Sequence, residues 1–205
     1  MYRLTRPDVS PLIRTAAELS REWCAGHVID GAPAYRHAAA VALKLEQHMN
    51  ASDELVAAAL LHDAPCLAPV DVDLDAVLTR RFGAEVTRIV RALETEHIRM
   101  EAATTPAPLC GDLPVLHASA ADKIISVGGV VRRALAADHK PTYWATRKAF
   151  VRRIPYFRAF GAMAAAHLPS RMARELHHVV SRAHAMARRN REPGSAACGV
   201  DPNPR

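Results

Sequence analysis

Aromatic side chains make up only 5% of the 205 residues, and valine, isoleucine and threonine nowhere form alternating runs. Both shortages speak against a strand-rich fold, because pleated surfaces favour β-branched and aromatic residues. Half the chain is nonetheless apolar, and alanine, the best helix former, supplies much of that share. The expected fold class is therefore all-α. Short paired cysteine spacings are missing too. Cys24, Cys66, Cys110 and Cys198 stand far apart, which argues against a disulfide framework or a zinc ribbon and points to a reducing compartment. The opening MYRLTRPDVS lacks the apolar stretch of a signal peptide, and no run approaches the roughly 20 apolar residues needed to span a bilayer. A cytoplasmic protein with no membrane partner is expected.

What the chain does have is adequate length and an uneven charge. Its size suits one domain with a real hydrophobic core over residues 1–191, and residues 192–205, EPGSAACGVDPNPR, have the composition of a disordered tail. The net charge of +6 is concentrated: residues 141–191 carry eleven Lys or Arg and one acid, Glu175, while residues 1–140 carry fifteen bases and eighteen acids. Such a face attracts a polyphosphate ligand or a nucleic acid, and a plain solvated helix surface has the same composition.

Read for period, the chain is a succession of helices. Ser10-Pro11 opens one whose apolar positions Leu12, Ile13, Ala16, Leu19 and Trp23 recur at helical spacing, followed by a loop with Gly26, Gly31 and Pro33. A second, from Tyr35 to about His48, sets His37 on the stripe of Val41, Leu45 and His48. Ser52 caps a third, which runs into Leu60-Leu61-His62-Asp63 and stops at Ala64-Pro65. Residues 64–73 read as a loop holding Asp71 and Asp73. Helices from Leu74 to Phe82 and from Ala84 to about Leu93 hinge at Gly83, and the irregular stretch 94–112 suits a mobile loop over a site. A helix from about Leu113 to Ala137 carries Asp122 on a stripe with Val115, Ala118, Ile125 and Gly129, and its Gly128-Gly129 pair suggests a kink or a close helix approach. The last helices are expected from Thr142 to Leu168, interrupted or kinked at Pro155, and from Ser170 to Arg189.

An imidazole near a helix C-terminus suits the negative end of the macrodipole, but the carboxylate beside it does not. Asp63, ending an apolar helix, calls for a cation to offset both the dipole and desolvation, and the adjacent imidazole suggests a divalent metal. Asp122 on an apolar stripe poses the same problem. A core-facing His37, taken alone, reads more simply as a hydrogen-bonded core residue.

In order, His37, His62-Asp63 and Asp122 resemble the ligand set of the HD superfamily of metal-dependent phosphohydrolases. Within it the chain is most similar to the hydrolase domain of RelA/SpoT homologues, of the small metazoan SpoT homologue type. The likeness runs through Gly31, Pro33 and His37, Val41-Ala42, AALLHD at Ala58 to Asp63, FGAEV at Phe82 to Val86, ADK at Ala121 to Lys123, and Tyr156-Phe157. It implies a helical bundle with a central metal site, where His37, His62, Asp63 and Asp122 bind one divalent metal, manganese in the family. It further implies removal of the 3′-diphosphate from (p)ppGpp. The partner expected is thus a small phosphorylated nucleotide, with NADPH the next candidate, and not a nucleic acid. Lys123, Arg147 and Arg153 are the candidate phosphate contacts, with Ser126 and Tyr156 as further substrate-binding candidates.

Three departures from that family matter. Relatives carry a Glu-Asp pair shortly after the HD dipeptide to orient or deprotonate the attacking water, and Cys66-Leu67 stand there instead. Val28-Ile29 lie near the place of a basic pair that helps hold guanine, and Ser126 replaces an asparagine. The loop after Asp63 is slightly longer, which makes Asp71 and Asp73 candidate substitute bases. Two alternative functions follow: a binding or regulatory module that keeps the metal without turnover, and a di-iron oxygenase of HD type, which needs two more histidines. His97 and His117 are available for that role, although loop or surface positions are the simpler expectation for both.

Overall fold

The computed structural model describes residues 9–29, 31–102, 105–106 and 109–190. The segment 192–205, read as a disordered tail, lies outside the described residues. Helix α1 (Pro11–Trp23) begins where Ser10 Oγ accepts from Ile13 N at 3.3 Å, with proline in the first turn where its missing N–H costs nothing. Its buried side chains Ile13, Ala16, Leu19 and Trp23 form one face. Between α1 and α2 (Ala34–His48) the expected loop contains a two-stranded hairpin. Val28–Ile29 (β1) pairs antiparallel with Ala32–Pro33 (β2), and Gly31 turns the chain at φ 76°. The hairpin escaped the periodicity reading because two-residue strands have no period.

Helix α3 (Asp53–Leu60) is capped by Ser52, whose Oγ accepts from Leu55 N at 3.2 Å, and every residue from Leu55 to Leu60 is buried. It is enclosed by α1, α2 and a later helix, α6, which explains why it is apolar all round. Pro65 does not end helical structure, as the sequence suggested: it sits in the first turn of a short helix, α4 (Ala64–Leu67). Asp73 Oδ1 accepts from Ala76 N at 3.0 Å to start α5 (Leu74–Phe82), and Gly83, at φ 86°, turns the chain into α6 (Ala84–Glu101).

Helix α6 corrects the expectation of a loop from residue 94. It continues for two more turns because Glu96 turns inward to Lys123 and Tyr156 and His97 to Asp122, extending the buried face of Val90 and Leu93. Helix α7 (Leu113–Ala136) is the axis of the molecule. It packs against α2, α6 and two C-terminal helices, α9 and α10, and is buried over most of its length. The Gly128-Gly129 pair leaves α7 unbroken, and a methyl group on Gly128 would meet Arg132 Nη1 at 3.4 Å and Val179 of α10 at 3.8 Å, ordinary contact distances, so Gly128 marks neither a kink nor an enforced close approach. Instead of one helix kinked at Pro155, the chain forms α8 (Lys140–Ala145) and α9 (Lys148–Ala164). The break falls where Thr146 Oγ1 donates to Tyr143 O and Arg147 N to Trp144 O, and α9 then runs through Pro155. Helix α10 (Ser170–Arg189) covers α7 and α9. The fold is all-α apart from the hairpin, and no described helix is long and apolar enough to cross a membrane.

Candidate metal centre

Three segments converge on one buried point. His37 comes from the first half of α2, His62 and Asp63 from the turn that ends α3, and Asp122 from the middle of α7. His37 Nε2 lies 3.3 Å from His62 Nε2 and 3.1 Å from Asp122 Oδ1. His62 Nε2 is in turn 3.4 Å from Asp63 Oδ2 and 3.9 Å from Asp122 Oδ1. Three of the four side chains, His37, His62 and Asp122, are buried, and Asp63 is half-buried.

The hydrogen bonds behind these groups orient them. His62 Nδ1 donates to Ala59 O at 2.8 Å, which leaves the Nε2 lone pair pointing into the cluster. Ser126 Oγ donates to Asp122 Oδ1 at 2.9 Å and to Asp122 O at 2.8 Å, fixing the rotamer of that carboxylate. Asp63 Oδ2, sealed from solvent, makes no hydrogen bond among the described residues. Burial holds His62 below the ordinary histidine range, with Asp63 and Asp122 only partly opposing it, so its imidazole is in the neutral, ligating form. Burial works to raise the Asp122 carboxyl, but hydrogen bonds from His37 and His97 hold it well below the carboxylate range. A neutral imidazole, an ionised carboxylate and an unsatisfied buried oxygen, all aimed at one point, fit a divalent cation of the Mn, Fe, Co or Zn type.

The fifth member of the cluster is His97, for which the sequence suggests a loop or surface position. It lies on α6, with Nε2 3.2 Å from Asp122 Oδ2, and that bond raises its imidazole above the ordinary value against the effect of burial. The ligand atoms of His62, His97 and Asp122 fall within 4.8 Å of one another, as do those of His37, His62 and Asp63. The signal in the sequence was the period Val86, Val90, Leu93, His97, which continues past the point where the charged residues suggested an end. His117 does not join them. It is buried on α7 with Nε2 3.2 Å from His167 O, so the extra pair needed by a di-iron oxygenase is not assembled.

A cavity of about 390 Å³ opens from the cluster, with Cys66 and Leu67 on one side, Glu94 and Glu101 of α6 on another, and Ile29, Phe150 and Phe157 as apolar walls. Of the substrate-contact candidates, Lys123, Ser126 and Arg153 line it. Lys123 is committed elsewhere. Fully buried, its Nζ donates to Glu96 Oε2 at 2.7 Å and to Ser119 Oγ at 2.9 Å. Tyr156 donates to Glu96 Oε1 at 2.5 Å and is buried in the same network, and Arg147 stacks over Tyr143 at 5.1 Å, away from the cavity walls. Asp73 is used as a helix cap and Asp71 is exposed; neither lines the cavity. Of the basic C-terminal helices, α9 reaches this cavity through Phe150, Arg153 and Phe157, while Arg158, Arg174, His177 and His178 line a separate, larger groove of about 830 Å³ between α9 and α10.

Comparison with curated proteins finds no match. Comparison with protein families matches residues 15–122 to the HD domain. HD domains are helical bundles that bind a divalent metal and are in general metal-dependent phosphohydrolases. The matched segment begins inside α1 and ends on Asp122, so it takes in all five convergent side chains and more than half of the chain, which belongs to the HD domain family.

Proposed function

We propose that His37, His62, Asp63 and Asp122 hold one divalent ion, Mn²⁺ in the first instance, and that the chain hydrolyses a phosphorylated nucleotide, with the 3′-diphosphate of (p)ppGpp the leading substrate. The observation that carries this reading is the convergence of two imidazole nitrogens and two carboxylates on one buried point beneath a cavity of nucleotide size. A bound ion would supply Lewis-acid polarisation of a phosphoryl oxygen and a more acidic water. The chain's own residues do the rest. Arg153, 3.7 Å from Glu101, is the cation available to a phosphate, while Lys123 is taken up by Glu96. Ile29, Phe150 and Phe157 offer the purine an apolar bed in place of a basic pair. For the proton of the attacking water, Glu94 and Glu101 are the carboxylates on the cavity wall outside the cluster, since Cys66 and Leu67 occupy the places of the Glu-Asp pair.

Turnover of a nucleotide panel with Mn²⁺, ppGpp and NADPH included, tests the proposal. Release of diphosphate or phosphate that disappears in Asp122→Ala supports it. The second reading, a metal-holding binding module, is favoured by Cys66 and Leu67, neither of which is a carboxylate able to activate water; burial and nearby Asp63 push the Cys66 thiol up, away from its basic form. Saturable nucleotide binding with no product across the panel supports that module and overturns hydrolysis.

A further inference from the structure

We propose that His97 is a fifth protein ligand of the ion, an inference that rests on the metal assignment just made. The argument is one of equivalence. His37 Nε2 lies 3.1 Å from one oxygen of Asp122 and His97 Nε2 lies 3.2 Å from the other, so α2 and α6 present the same atom of the same side chain to the two oxygens of one carboxylate. His97 also reaches the second group of the cluster. Its ligand atom falls within 4.8 Å of those of both His62 and Asp122, a spread that one ion can draw together. The His62, His97 and Asp122 group shares His62 with the group of His37, His62 and Asp63, so one ion beside that ring is within reach of both. The His62 and His97 rings meet edge to face with centroids 5.7 Å apart.

The placement is also built rather than incidental. The preceding residue, Glu96, is anchored in the interior by Lys123 and Tyr156, which fixes the rotation of α6 and with it the direction of His97. A histidine binds an ion through an unprotonated nitrogen, and Nε2 is the one turned to Asp122. Five protein donors exceed the four of a closed tetrahedral zinc site, so the arrangement favours ions of higher coordination number such as Mn²⁺.

Pulsed electron paramagnetic resonance of the Mn²⁺-loaded full chain, with histidine labelled by ¹⁵N, counts the coordinated nitrogens directly. The expected result is three, from His37, His62 and His97, falling to two in His97→Gln with an Mn²⁺ affinity about tenfold or more weaker. Ser126→Ala separates ligation from positioning: it loosens Asp122 and weakens binding while the count stays at three. Two nitrogens in the native protein, unchanged in His97→Gln, overturn this inference and leave the four-ligand assignment standing. A native chain that takes up no Mn²⁺ overturns both. The native count needs no variant, so misfolding of His97→Gln does not remove the test.

Discussion

Lys123 Nζ lies 2.7 Å from Glu96 Oε2 with both side chains sealed from solvent, and each partner is the sequence neighbour of a cluster residue. Glu96 precedes His97 on α6, and Lys123 follows Asp122 on α7. The pair therefore locks the rotation of two helices whose next residues must meet. Ser119 and Tyr156 satisfy further polar atoms of the pair, and the Lys123 ammonium stands 4.5 Å from the centre of the Phe160 ring.

A buried ion pair adds little net stability, but removing one partner strands the other charge. Lys123→Met is expected to destabilise the fold by about 3–5 kcal/mol, read from urea denaturation. Replacing both partners, Glu96→Leu with Lys123→Leu, should cost less than the two single changes added together. A Lys123→Met variant as stable as the native chain would show that the amine is free, and would return Lys123 to the role of phosphate contact.

Metal should stabilise the native state by mass action. At an Mn²⁺ concentration of about 100 times Kd the gain is about 2.7 kcal/mol, visible as a rise in Tm. His62→Ala and Asp122→Ala should abolish that rise. Ser126→Ala, which removes the bond to Asp122 Oδ1, should weaken Mn²⁺ binding about 10–100-fold without abolishing it. A rise in Tm that survives in His62→Ala would place the ion somewhere other than this cluster.

The sequence showed the parts of this structure that depend on local rules. Ser10-Pro11 and Ser52 start helices because short polar side chains bond the free N–H groups of a first turn, a pattern that needs no knowledge of the rest of the fold. His37, His62, Asp63 and Asp122 were legible as a set because motif order records a geometry that spacing alone does not. What stayed hidden depends on tertiary partners. Glu94-Thr95-Glu96-His97 looks polar enough to end a helix, and only the facing Lys123 and Asp122 make two of those residues interior. Lys123 and Tyr156 looked like ligand contacts for the complementary reason: sequence shows a cation and a hydroxyl, and the structure shows that Glu96 has already engaged both.

Glu175 provides a pH dependence away from the cluster. The one acid in the basic C-terminal region, it joins α10 to α2 by accepting from Lys44 at 2.9 Å and pairing with His48 at 2.7 Å. Burial works to raise its carboxyl, but these partners hold it below the ordinary value of 4.5. The folded chain therefore binds fewer protons there than the unfolded one. Its stabilising contribution is present in full above the unfolded value and is lost as pH falls through the folded value. With about a third of the carboxylate open to solvent, the effect is on the order of 1 kcal/mol or less. Glu175→Gln should lower Tm at neutral pH, and the difference from the native chain should shrink steadily as the solution is acidified below 4.5. A difference independent of pH would trace the loss to packing and not to charge.

The last prediction rests on the proposed ppGpp hydrolysis and concerns the two residues after Pro65. Cys66 and Leu67 lie on α4, immediately after Asp63, and both line the cavity, so a carboxylate introduced there faces the space beside the ion. Cys66 is exposed, which makes Cys66→Glu tolerable for the fold. If hydrolysis is limited by water activation, Cys66→Glu with Leu67→Asp should raise Mn²⁺-dependent release of diphosphate from ppGpp by about 10²–10⁴-fold, the usual contribution of a placed general base. A native chain that already turns over at rates typical of enzymes would instead draw its base from α6. Glu94→Gln or Glu101→Gln should then lower kcat with Mn²⁺ affinity retained, whereas Asp71→Asn and Asp73→Asn, which do not line the cavity, should leave it unchanged. No activity in the native chain or the Cys66→Glu, Leu67→Asp variant, with metal bound and the fold intact, would exclude ppGpp hydrolysis and favour the binding module.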